Sequence, residues 1–223
     1  MIKLLAACVA VPALSISALA SAEVALYPTG PSEDAAFVRF VNASAAPLDV
    51  IAQAGQPPMR VEAAQPVSLF FPVDAKTPVK GSLVSAEKKL AMDLKIEPGE
   101  FVTVFAVPDG AKGIKQVVVR EQPDDFNGLK ASVAFFNVDA SCADASLRPA
   151  GRTADLFKAL PVESQQRRSI NPVNLSVQLV CANANVGAPL DLGDLKAGER
   201  YSVLLVPSAS GPRLLNATDT LSH

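Results

Sequence analysis

The chain has 223 residues, 49% of them hydrophobic and 19% charged, with a formal net charge of −2 at pH 7. That apolar fraction excludes a disordered chain. The near-balanced charge gives no electrostatic basis for binding nucleic acid or an anionic membrane, and the 18 prolines point to many loops and strand edges.

In chain order, the first predicted element is a signal peptide. Met1, Ile2 and Lys3 form a short positively charged start, residues 4–19 are uncharged, and Ala20, Ser21 and Ala22 give the small-x-small pattern that a signal peptidase accepts. Cleavage before Glu23 is expected, which assigns residues 1–22 to the signal and the mature chain to a place outside the cytoplasm. An uncleaved anchor is the rival reading, weakened by Pro12 and the serines of the run. No later segment is long enough to span a bilayer as a helix, and Cys8 lies too near the start for a lipoprotein site. About 200 residues then remain, enough for one large or two small domains with real cores.

Residues 23–35 read as an extended segment. Beyond them the apolar runs are short, rich in Val and Phe, and broken by Pro, Gly, Asn and Asp, the pattern of strands at sandwich spacing. Strands are expected over 37–41, 48–53, 67–71, 81–85, 90–96, 101–107 and 116–120, with a hairpin tip at Lys88 and Lys89. A turn-rich break around Pro123, Asp124 and Asp125 follows. Strands resume over 132–137, 169–171, 175–180, 190–192, 201–206 and 213–216, and only 154–160 reads as a short helix. The resumption is a repeat. Ala36, Val38, Phe40 and Asn42 match Ala131, Val133, Phe135 and Asn137 without a gap, and the block from Gly99 to Pro108 matches that from Gly198 to Pro207. Preserved order over so long a period indicates a duplicated β-domain of about 95 residues. The expected fold is therefore all-β, two tandem β-sandwich-like domains over 36–122 and 128–223. Val38 and Phe40, like Val133 and Phe135, are two apart and share one strand face, which can enter a core. Gly99 and Gly198 stand where a tight turn needs positive φ.

Once the signal is removed, Cys142 and Cys181 remain. In an oxidising compartment a bridge between them is expected, the rival being two buried free thiols. Neither has a neighbouring His or Cys at ligand spacing, so no metal site is expected. The single histidine is His223, which removes triad chemistry that needs a positioned imidazole. No nucleotide, zinc-protease or nucleophile-elbow motif is present, so neither catalytic residues nor a cofactor is expected. A glycosidase working with carboxylates alone would want aromatic platforms for sugar, and the chain has no Trp and two Tyr. Binding candidates are Tyr27, in a Pro/Gly-rich stretch, and Arg167 and Arg168, whose guanidiniums suit carboxylates on an acidic polysaccharide or a partner protein. The bland alternatives are packing of Tyr27 on its own domain and a solvated strand edge for the arginines.

The run Leu26, Tyr27, Pro28, Thr29, Gly30, Pro31 and the run from Ala36 through Arg39 to Ala43 resemble the AlgF family of alginate O-acetylation proteins. Asn171, Pro172 and Val173 after a basic stretch add to the resemblance. It implies a non-catalytic periplasmic accessory protein acting with periplasmic acetyltransferases and a membrane-bound O-acyltransferase, and it adds Arg39 to the candidate contacts. An accessory role for another exopolysaccharide such as cellulose, or a carbohydrate-binding module, is the alternative.

Overall fold

The computed structural model describes residues 35–52, 57–110, 113–122 and 127–222. The first half contains β1 (Ala35–Asn42), β2 (Leu48–Ile51), β3 (Met59–Val61), β4 (Phe71–Asp74), β5 (Val79–Ser85), β6 (Lys88–Leu94), β7 (Phe101–Pro108) and β8 (Ile114–Glu121). The second contains β9 (Ala131–Asn137), β10 (Ala145–Pro149), β11 (Phe157–Leu160), β12 (Ser164–Ile170), β13 (Asn174–Cys181), β14 (Ala184–Asp194), β15 (Arg200–Val206) and β16 (Arg213–Thr218).

Each half folds into two four-stranded sheets. The order β4-β1-β7-β8 in the first half recurs as β12-β9-β15-β16 in the second, and β3-β2-β5-β6 recurs as β11-β10-β13-β14. In both halves the first and seventh strands pair in parallel, Phe37 opposite Phe101 and Ser132 opposite Arg200. The other ladders are antiparallel. The fold is thus all-β, with the same sandwich topology written twice.

Val38, Phe40, Leu48, Leu83, Val102 and Val104 fill the first sandwich. Val133, Phe135, Leu147, Val177, Leu179 and Val203 fill the second. A third core lies on the outer faces of the central sheets, where Val41, Phe105 and Val119 meet Phe136, Leu204 and Leu215. The four sheets therefore stack as four layers. The central strands β1, β7, β9 and β15 are buried on both faces, which explains why their sequences are nearly continuous apolar runs.

The repeated residues have repeated work. Asn42, fully buried, donates from Nδ2 to the carbonyls of Ala46 and Val61 and accepts the Ser44 amide at Oδ1. Asn137 does the same with Cys142, Leu160 and the Asp139 amide. Each amide side chain pins the exit from the first strand to the edge of the facing sheet. Gly99 and Gly198 adopt φ of 79° and 78°, as their turns require.

Several expectations need correction. The segment 154–160 is not a helix: Phe157 pairs across the sheet with Leu147, its ring is buried in the second core, and Ala159 has a positive φ of 49°. Strands β3 and β10 lay outside the expected set. The expected strand at 67–71 is mostly extended chain joined to β1 by a bridge from Val67 to Val41, with β4 starting at Phe71. The hairpin tip falls at Ala86 and Glu87, both with positive φ, and Lys88 opens β6. The bridge expected between Cys142 and Cys181 needs no correction, for the two are joined by a disulfide.

Candidate functional site

Arg39 interrupts an apolar strand at a position facing away from the first core. A guanidinium there must either reach solvent or find partners inside, because burying an unpaired charge is prohibitively unfavourable. It finds partners: the side chain is 1% exposed and reaches into the second half. Nη1 donates to Asp219 Oδ1 at 2.7 Å, Nη2 to Ser202 Oγ at 2.8 Å and Nε to Thr103 Oγ1 at 2.9 Å. Its flat face lies over the Phe70 ring at 4.4 Å, with Phe136 at 5.2 Å.

Arg167 enters the same cluster from β12. It donates through Nε and Nη2 to the two oxygens of Glu121, and through Nη2 to Asp219 Oδ2 at 2.8 Å. Arg200 Nη2 reaches Glu121 Oε1 at 2.9 Å, and Ser202 Oγ donates to Asp219 Oδ1 at 2.6 Å. Glu121 sits opposite Phe101, and Asp219 sits opposite Arg200, the matching position in the second half. The duplication thus supplies one acid from each half. The arginines are not duplicated, since Ala134 stands where Arg39 stands in the first half.

The acids and arginines fix one another's charge. Burial pushes the Asp219 carboxyl up, but the charges of Arg39 and Arg167, with the hydrogen bonds from Ser202 and Arg167, outweigh it and hold it below the usual carboxylate range. Burial lowers Arg39, and Asp219 offsets only part of that. Burial acts the same way on Arg167, but the hydrogen bond and charge of Glu121, joined by Asp219, carry it above its ordinary value. No buried nitrogen or oxygen of these side chains lacks a partner. A carboxylate depressed in this way is a weak base toward Ser202, which is itself fully buried. What the cluster can do is hold the two sandwiches in one register.

Of the four binding candidates, the structure brings Arg39 and Arg167 together and places both inside. Arg168 is exposed and donates Nη1 to the Leu156 carbonyl at 2.9 Å. Tyr27 lies outside the described residues. Sequence reasoning missed Glu121, Asp219, Ser202 and Phe70. One signal was available, an arginine inside an apolar strand, which demands a buried acid. Its partner lies 180 residues away, and nothing local names it. Among the described residues, no group of three His, Cys, Asp or Glu side chains could hold a metal ion.

Fold and cluster together define a class: a four-layer all-β protein made of a duplicated sandwich, locked face to face by a closed ionic network. The family described as alginate O-acetyl transferase AlgF matches residues 6–202, and the chain belongs to that family. No curated protein matches it. Among solved structures, the C-terminal domain of AlgF from P. aeruginosa is 24% identical over 40% of this chain and 98% of its own, with a TM-score of 0.34. The Bacillus anthracis TIE protein is 10% identical over 76% of this chain and 33% of its own, with a TM-score of 0.25.

Proposed function

We propose that this chain is an exported, non-catalytic accessory protein of alginate O-acetylation, working in the periplasm beside periplasmic acetyltransferases and a membrane-bound O-acyltransferase. The observation that carries the reading is family membership over residues 6–202. The rest of the chain supports it. The Cys142–Cys181 disulfide suits an oxidising compartment. The one histidine of the sequence is His223, so among the described residues the hydroxyls of the two sandwiches have no imidazole to activate them for acyl transfer. The charged groups the fold brings together are spent on one another between the sandwiches. An adaptor needs surfaces, and edge strands provide them.

The test is genetic and chemical together. Deleting the gene is expected to abolish or sharply reduce acetyl esters on the exported polymer while polymer yield is kept, and the purified mature chain is expected to turn over no acetyl donor. Normal acetylation in the deletion strain ends the accessory reading. Turnover by the isolated chain ends its non-catalytic part.

A further inference from the structure

Among the described residues, β16 is the last strand of its sheet and pairs only with β15. Asp219 donates its amide to the Arg200 carbonyl, which sets the alternation of the ladder. Residues 213, 215 and 217 therefore turn their backbone groups toward β15, and Leu214, Asn216 and Thr218 turn theirs away. Facing that free edge, across a cleft of about 550 Å³, runs the chain from Ala63 to Leu69 of the first sandwich. The C-terminal tail joins the two halves just beyond β16, where Phe70 and Leu221 form a bridge. The cleft is an open slot beside a strand edge that no described residue pairs with.

Arg213 stands at the start of β16. Its Nε is buried and has no acceptor, and among the described residues its guanidinium makes no hydrogen bond or ion pair. Among the described residues lining the slot, it is the one with a charge. Among the described residues it is also the one with a charge lining a second groove of about 950 Å³, whose other walls are uncharged, among them Ala45, Ala86, Pro207 and Ser208. Arg39, Arg167 and Arg200 each have a carboxylate; half-buried Arg213 has room for one and none supplied among the described residues.

We propose that the β16 edge receives an extended peptide segment of a partner protein, which adds a strand through Leu214, Asn216 and Thr218 and sets an Asp or Glu side chain against Arg213. A peptide fits better than a polysaccharide, because the free groups are backbone amides and carbonyls and, among the described residues, neither groove offers an aromatic ring for a sugar face. A second copy of this chain fits poorly: β16 reads RLLNAT and carries no carboxylate, so pairing two β16 strands would leave both Arg213 side chains unmatched. The inference rests on the accessory reading only for the assembly in which the partner works.

The experiment is an NMR titration of the full mature chain with two synthetic six-residue peptides of alternating Val and Thr, one with a central Glu and the other with Gln there. The Glu peptide is expected to shift the amides of Leu214, Asn216 and Thr218 and the Arg213 Nε–H. It should bind about tenfold more tightly than the Gln peptide, the effect of one charge-assisted hydrogen bond. In Arg213→Gln the two peptides should bind equally. Asn216→Pro, which removes an outward amide and leaves the ladder to β15 intact, should bind neither while its melting temperature stays near that of the parent. Absence of shifts at β16 with either peptide overturns the proposal. So do the same shifts with an oligouronate in place of peptide, and self-association of the parent that Asn216→Pro removes. These readouts do not involve acetylation, so failure here leaves the accessory role to the deletion strain.

Discussion

Arg39 makes hydrogen bonds to Thr103 in its own half and to Ser202 and Asp219 in the other, and it does so with almost no exposure. Removing one partner of a buried pair leaves an uncompensated charge, so Arg39→Ala is expected to destabilise the chain by about 3–5 kcal/mol in urea unfolding. Arg39→Lys should recover little, since an ammonium cannot serve three acceptors in a planar fork while lying over Phe70. Full stability of the lysine variant would show that the fork geometry does not matter. The pH dependence follows from Asp219. Its folded carboxyl lies below the usual range, near 3.9 for an unfolded Asp. Its contribution is therefore complete above roughly pH 4 and is lost as pH falls from there through the folded value. Asp219→Asn should melt lower than the parent at pH 7 and show a flatter fall in melting temperature below pH 4. Parallel acid profiles for the two proteins would remove Asp219 from the acid transition.

Elements show how much the residues disclosed in advance. The alternation of Val38 with Phe40 and of Val133 with Phe135 was legible, because one face of a strand entering a core leaves a period of two. The glycine turns were legible because both carry Gly-Glu at the same distance from the following Pro. What was hidden was the second buried face. Val41, Phe105, Phe136 and Leu204 belong to apolar runs already explained by the sandwich cores, and only the lack of polar residues between them signals cover on the other side. β11 was hidden for another reason: Ala154, Leu156, Phe157 and Leu160 have helical spacing, and tertiary pairing with β10 overrode it. The charge cluster was half legible, through Arg39, with its acids beyond the reach of local pattern. The disulfide belongs to this scale as well. Cys142 follows β9 and Cys181 ends β13, 39 residues apart, while in the first half the matching region holds Ser44 and Ser85. Reduction is expected to destabilise by about 4 kcal/mol in the chain-entropy picture. For a chain of this size that lowers the melting temperature by roughly 8–16 °C. A melting temperature indifferent to reductant would mean that the bridge constrains little that the sheets do not already hold.

At the scale of the whole molecule, duplication and docking make different predictions for the two halves. Each sandwich has its own core, so each half has reason to fold alone. Each alone would also expose a large apolar face, Phe105 and Val119 on one side or Phe136 and Leu204 on the other, and each would leave part of the ionic cluster without its partners. A face of that kind drives association. Residues 35–122 and 127–222, expressed separately and mixed, are therefore expected to form a one-to-one complex detectable by size-exclusion chromatography. Arg39→Ala in the first piece or Asp219→Asn in the second should weaken it. The intact chain should unfold in a single transition, since opening either sandwich uncovers the shared core, and reduction of the Cys142–Cys181 bridge should move that transition as a whole rather than split it. If the pieces remain inert monomers, and the intact chain melts in two steps with only the second moved by reductant, the sandwiches are beads on a chain and the third core contributes nothing to their stability.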